Sequence, residues 1–172
     1  MSAPDSVTAT IALEQPMLPN IERIIARIGA ELGVCPKTAF EASDRTLILP
    51  ISGGVLTIGL VDTPVAHAKW ERLAARATTW PEARASYGRH IAQLNVQTSY
   101  AEGYLDAAVR RHAKVIAEIL SQVPAVAVLW GHDLVDANAF RVDFTPSAVE
   151  PSGVRGGETS TARRGLFGWF RR

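Results

Sequence analysis

The stretch that decides the fold is residues 90–129, HIAQLNVQTSYAEGYLDAAVRRHAKVIAEILSQVPAVAVL. Its first nine residues alternate between apolar and polar side chains, which is the pattern of a β-strand buried on one face only. Apolar residues then recur at helical spacing over 103–123, and Pro124 ends that helix. Residues 125–129 are apolar throughout, which predicts a central strand buried on both faces.

The same two patterns occur earlier in the chain. Alternation predicts strands over 7–13, 46–51 and 55–61, and the glycines between the last two favour a hairpin turn. A helix with a continuous apolar stripe is predicted over 18–32, starting at Pro19 or Asn20 and ending at Gly33. A shorter helix is predicted over 66–77, and Pro81 followed by Glu82 is typical of a further helix start.

This order of elements predicts an α+β fold, in which one mainly antiparallel sheet carries two principal helices on one face. Two β-α-β crossovers would place those helices side by side, as in a ferredoxin-like arrangement. The length of 172 residues and the apolar content of 47% indicate a single domain with its own core. We place that domain in residues 1–144, because residues 145–162 are rich in Pro, Gly, Ser and Thr, which is typical of a flexible linker.

Charge is distributed unevenly along the chain, although its formal net charge is only +1. Residues 1–150 contain thirteen basic and sixteen acidic residues, a net charge of −3. Residues 151–172 contain five arginines and one glutamate, a net charge of +4. Affinity for nucleic acid requires clustered basic residues, so we expect no nucleic-acid partner for the mildly acidic domain.

The C-terminal segment, residues 163–172, combines arginine pairs with large aromatic side chains. In a helix its apolar residues would share one face. This composition is typical of a segment that lies on an anionic membrane surface, and equally of a peptide that docks on a partner protein. Packing against its own domain or a second copy is the third alternative. The candidate binding residues here are Arg163, Arg164, Leu166, Phe167, Trp169, Phe170, Arg171 and Arg172.

A second candidate surface is the outer face of the strand predicted over 90–98. The amide side chains of Gln93 and Asn95 both donate and accept hydrogen bonds, and Trp130 follows the central strand, so we take these three residues as further binding candidates. The alternative is an amide row that is solvated or covered by a neighbouring segment.

The best candidate for catalysis is the turn after the central strand. There His132 could move protons near neutral pH, with Asp133 or His90 as the second titratable group. The alternative is a tight turn with a solvated imidazole. The sequence contains no metal-ligand spacing, no nucleophile motif and no phosphate-binding loop, and Cys35 is its only cysteine, so we expect no metal, cofactor or disulfide.

Four short motifs carry a family resemblance: Thr57–Pro64 (TIGLVDTP), Trp80–Ala83 (WPEA), His90–Ala92 (HIA) and Ala125–Gly131 (AVAVLWG), with Phe140 downstream. Together they resemble domain of unknown function 4261, a bacterial family, over roughly residues 54–141. The resemblance implies a strand-and-helix core that ends in an apolar strand and a Trp-Gly turn. It implies no particular activity. The polar outer face of the strand over 90–98 departs from the family, in which that face is usually more apolar.

We hypothesise a non-enzymatic protein-binding or adaptor domain that acts as a monomer or a homodimer. The alternatives are a small enzyme that uses His132 as acid or base, and a bacterial immunity-type protein. The sequence shows no signal peptide and no apolar stretch long enough to cross a bilayer. We therefore expect a cytoplasmic protein, peripheral to the inner membrane if the C-terminal segment binds lipid.

Overall fold

The computed structural model describes residues 5–101 and 105–144. Within them seven strands form one sheet in the order β2-β3-β4-β5-β1-β6-β7, and each neighbouring pair is antiparallel. The strands are β1 (Asp5–Leu13), β2 (Glu41–Ala42), β3 (Thr46–Ile51), β4 (Gly54–Val61), β5 (Ala92–Tyr100), β6 (Ala125–Trp130) and β7 (Asp133–Asp136). The helices are α1 (Ile21–Leu32), α2 (His67–Ala74), α3 (Leu105–Leu120) and α4 (Ala137–Phe144), and Tyr87–Arg89 form a short 3-10 helix. The predicted α+β class with a mainly antiparallel sheet is confirmed.

One face of the sheet is covered by the two principal helices, as predicted. The apolar stripes of α1 and α3 lie on the inward-facing residues of β1, β5, β4 and β6, and form the larger core. Glu118 of α3 is only 8% exposed and lies 3.6 Å from Arg23 and 3.8 Å from Arg27 of α1. These contacts hold the two helices side by side. The connection β5-α3-β6 passes over β1, so that β1 lies between two parallel strands.

The ends of α1 follow the signals in the sequence. The side chain of Asn20 accepts a hydrogen bond from the N–H of Arg23 at 2.9 Å, which satisfies one of the free donors of the first turn. Gly33 ends the helix with φ of 68°, a left-handed conformation that a glycine adopts without steric cost.

The described residues cover the other face of the sheet only in part. We call residues 62–91, which connect β4 to β5, the arm. Buried side chains of the arm, including Trp70, Leu73 and Trp80, pack against the outward-facing side chains of β6 and β7 and against Ala12 at the end of β1. In the described part of the chain the rest of this face, on β1, β5, β4 and β3, has half-buried and exposed side chains, with Thr10 at 9% exposure as the exception.

Three elements differ from the prediction. The sequence did not predict β7 or α4, in which Asp136 accepts hydrogen bonds from the N–H groups of Asn138 and Ala139 and so caps α4. A four-residue strand is too short to show a period. The helix expected at Pro81 was wrong, because residues 81–86 form turns. The indole of Trp70 donates to the carbonyl of Ala83 at 2.8 Å, which takes a carbonyl that a continuing helix would use.

Candidate functional site

The uncovered part of the sheet presents one continuous surface, which we call the open face. It consists of the outward-facing residues on four neighbouring strands. Cross-strand register places Thr8, Gln97 and Thr57 in one row and Thr10, Asn95 and Gly59 in the next. The fourteen positions are Ser6, Thr8 and Thr10 of β1, Gln93, Asn95, Gln97 and Ser99 of β5, Val55, Thr57, Gly59 and Val61 of β4, and Thr46, Ile48 and Pro50 of β3.

The open face carries no charged residue. Charged residues make up 20% of the chain. Fourteen positions would therefore hold about three by chance, and more on a surface, where charged residues concentrate. The exposed side of α1 shows the ordinary case, with Glu22, Arg23, Arg27 and Glu31 among its twelve residues. The open face thus differs in kind from the solvent-facing surface on the helical side.

A shallow depression of about 340 Å³ lies at the centre of the open face. Thr10 and Asn95 border it, and the Thr10 hydroxyl donates a hydrogen bond to the Asn95 side-chain oxygen at 3.1 Å. Gly59 forms part of its floor, and a Cβ placed on that glycine would have no atom of the described chain within 4 Å. The depression is therefore not filled by any described side chain.

Of the three residues predicted around the amide row, the structure brings two together. Asn95 is exposed near the centre of the open face, and Gln93 lies at its border, where its Nε2 donates to the carbonyl of Thr63 in the arm at 3.3 Å. Trp130 lies on the opposite face of the sheet. Its half-buried ring is 4.9 Å from that of His112 and 6.0 Å from that of Phe140, so it packs with the helical layer.

The candidate acid and base residues do not come together. His132 is exposed in the turn between β6 and β7, and within the described residues it makes no hydrogen bond and no ion pair. Asp133, half-buried, pairs with Trp130 across the hairpin. His90 lies near Leu13, beside the other end of β6, so roughly 15 Å of strand separates it from His132.

His90 has a structural role in the arm. It is 3% exposed, its ring stacks on that of Trp70 at 4.6 Å, and its Nε2 accepts a hydrogen bond from the N–H of Val65 at 3.1 Å. The Tyr87 hydroxyl donates to the Val65 carbonyl at 3.1 Å. Burial lowers the pKa of His90, and a backbone contact with Tyr87 offsets this in part. The imidazole therefore stays neutral and joins the end of the arm to its beginning at Val65.

His112 is buried on the other side of the sheet. Its Nδ1 lies 2.8 Å from the Thr98 hydroxyl, and no atom of its side chain reaches solvent. Burial lowers the pKa of His112 to about 3, so the ring is neutral near physiological pH. The sheet thus separates His90 from His112. Neither histidine lies beside His132, and no group of three or more metal-ligating side chains occurs among the residues that the structure describes.

No known protein family, no curated protein and no solved structure matches this chain. The resemblance to domain of unknown function 4261 stays a prediction. In the described part of the chain no helix is long and apolar enough to cross a membrane. The linker, 145–162, and the C-terminal segment, 163–172, lie outside the described residues, and so do the binding candidates of that segment.

Sequence reasoning missed most of the open face. It singled out the amides of β5, but not Thr8 and Thr10 of β1 or Thr57 and Gly59 of β4. The signal was present in part, since Thr8 and Thr10 occupy alternate positions of the first predicted strand, and Thr57 and Gly59 alternate with apolar residues in the strand over 55–61. The sequence could not show the strand order. That order places β1 and β4 on either side of β5, so that the polar side chains of the three strands form one surface.

Proposed function

We propose that this protein is a non-enzymatic protein-binding module and that the open face is the surface on which a partner protein docks. The observation that carries the proposal is an uncharged, uncovered sheet face with a glycine at its centre. Cores of protein interfaces are depleted in charged residues. The amides and hydroxyls of the open face offer donors and acceptors without the desolvation cost of a charge.

Gly59 adds a second argument. A glycine inside a strand costs about 0.5–1 kcal/mol relative to alanine, and such glycines often mark a place where a ligand or another backbone approaches closely. No contact within the described chain requires a glycine here, because the space above Gly59 is empty and its φ is not positive. Close approach of a partner would supply the reason.

The enzyme alternative has less support. Its acid or base, His132, is exposed and far from His90, so the geometry offers no second titratable group in a concave site. The immunity-type alternative is a special case of partner binding and would use the same surface.

In this proposal the C-terminal segment, 163–172, forms a second contact with an anionic membrane or a partner protein. Each arginine near an anionic surface contributes on the order of 1 kcal/mol, so binding through four of them is weak and sensitive to salt. Removal of residues 162–172 should abolish co-sedimentation with anionic vesicles, with neutral vesicles as the control. Unchanged sedimentation and an unchanged pull-down would remove the segment from the proposal.

A pair of glycine substitutions tests the open face. Gly59→Lys places a charge at its centre, whereas Gly88→Lys places the same charge on the arm, where a Cβ also meets no atom within 4 Å. Both variants should fold. In a pull-down from the native host, Gly59→Lys should lose a protein that the wild type and Gly88→Lys retain. Equal retention by all three chains would contradict the proposed function of this surface.

A further inference from the structure

The chemistry of the open face makes it complementary to itself. Across a two-fold axis each patch meets a copy of the same patch, so any charge near the axis meets its own sign. The open face has no charge at any of its fourteen positions. Amide groups such as those of Asn95 and Gln97 carry donors and acceptors together and can pair with their own copies.

The border of the open face includes charged residues. At the outer edge of β3, the exposed Glu41 of β2 lies beside Ile48 on the same face. Arg45 and Asp62 adjoin the β3 and β4 end, next to Thr46 and Val61, and their side chains form an ion pair at 2.5 Å. At the same end, next to Val61, Gln93 donates a hydrogen bond to the arm between neutral groups. This end therefore presents no net charge to a second copy, whereas Glu41 places one negative charge at the β3 edge.

We propose that the partner on the open face is a second copy of this chain, packed sheet against sheet about a two-fold axis. The inference rests on the proposed function, because it names the occupant of the same surface. β4 and β5 are the inner strands of the four, so an axis at the centre of the face passes close to Gly59 and Asn95. The depression of each copy then receives side chains of the other.

The size of the open face sets the strength of this association. Four strands at about 4.8 Å spacing and about seven residues in length cover roughly 500 Å² on each copy. The total of roughly 1,000 Å² lies at the lower limit of specific interfaces. We therefore expect a reversible dimer with a dissociation constant in the micromolar range.

Sedimentation velocity of the full chain, from about 1 to about 500 µM under reducing conditions, tests the dimer. The wild type and Gly88→Lys should shift from monomer to dimer across this range. Gly59→Lys should bind itself at least about tenfold more weakly, because two lysines meet near the axis. Circular dichroism and thermal unfolding establish that each variant is folded. Self-association of Gly59→Lys equal to that of the wild type would overturn the proposal.

Cross-linking provides a second measurement that does not depend on charge. The exposed Cys35 is first replaced in Cys35→Ser. In that background, a short bismaleimide should join two copies of Gly59→Cys and should leave Gly88→Cys monomeric. Covalent dimer of both variants in equal amounts would indicate random collision and would contradict packing through the open face.

The same experiments separate this inference from the proposed function. If the wild-type chain stays monomeric at the highest concentration, the proposal that a second copy occupies the open face is wrong. If Gly59→Lys then still loses a captured protein, a different protein occupies the open face. If Gly59→Lys instead retains the captured protein but makes residues 163–172 more accessible to trypsin, the chain's own C-terminal segment occupies the open face. A monomer with no effect of Gly59→Lys in either assay contradicts both proposals.

Discussion

The sheet face opposite the helices has two halves, one under the arm and one that forms the open face, and their side chains differ in polarity. Under the arm, apolar side chains such as Leu129 and Leu134 are buried by the indoles of the arm, whereas the open face exposes hydroxyls and amides. β1 crosses from one half to the other. On the same side of this strand Thr8 is exposed, Thr10 is 9% exposed and Ala12 is fully buried. The change from threonine to alanine marks where the arm begins.

The difference shows that the two halves of one sheet face differ in what they contribute to stability. The half under the arm contributes to the core, because it removes apolar surface from water. The open face keeps β-branched threonines, which suit a strand while tolerating solvent. The described part of the chain can therefore leave the open face uncovered without loss of stability.

The largest loss of stability should come from removing the central indole of the arm, that of Trp70. Trp70 is fully buried, stacks on His90 and donates to the carbonyl of Ala83. Trp70→Ala should lower the free energy of unfolding by about 3–5 kcal/mol, because it leaves a cavity and an unpaired carbonyl. Urea unfolding followed by circular dichroism measures this.

The matched control lies on the open face. Gln97 is exposed, so Gln97→Ala should change the free energy of unfolding by no more than about 0.5 kcal/mol. A comparable loss of stability in both variants would mean that the two halves contribute alike, and the contrast drawn between them would fail.

An exchange of residues along β1 should have a smaller effect. Ala12→Thr forces a larger polar side chain under the arm, and overpacking of this kind costs about 1–3 kcal/mol. Thr8→Ala makes the reverse change at an exposed site and should be nearly neutral. Chemical denaturation of the two variants measures the difference. If Ala12→Thr is as stable as the wild type, the arm does not pack closely over this end of β1.

The sequence was sufficient for the elements whose cause is local. Alternation located β1, β4 and β5, the apolar stripe located α1, and Asn20 with Gly33 marked its ends. The arm could be predicted only in part: α2 lies within the helix predicted over 66–77, but long-range contacts shape the residues that follow it. The Trp70 indole takes the Ala83 carbonyl and so replaces the helix that Pro81 and its neighbour favour.

The candidate site was predictable in one strand only. The amides of β5 were recognisable from their alternation, but a site made of three strands requires the strand order. Trp130 and His90 were misjudged for a related reason. Local pattern shows that a residue ends or begins a strand, but not which layer covers it. Trp130 packs under the helices, and His90 packs within the arm against Trp70.

The smallest expected effect is a change in the free energy of unfolding with pH. It depends on His90, which lies in the arm and not on the open face. Burial holds the pKa of this imidazole below its ordinary value of 6.5. As pH falls below 6.5, the unfolded chain therefore binds a proton that the folded chain resists, and stability is lost down to the folded pKa. His112 adds to the loss in the same direction, because its pKa is lowered to about 3. The proton on His90 would also remove the acceptor for the N–H of Val65.

His90→Gln isolates the contribution of the arm to this pH dependence, because glutamine can accept the hydrogen bond from Val65 without titrating. Between pH 7 and about 5.5 the wild type should lose more stability than this variant, with about 1.36 kcal/mol for each pH unit as the upper limit for one proton. Gln97→Ala, which removes no titratable group, provides the control and should keep the wild-type pH dependence. Urea unfolding at the two pH values decides the matter. Parallel losses in the wild type and His90→Gln would show that the arm is not fastened by a neutral imidazole.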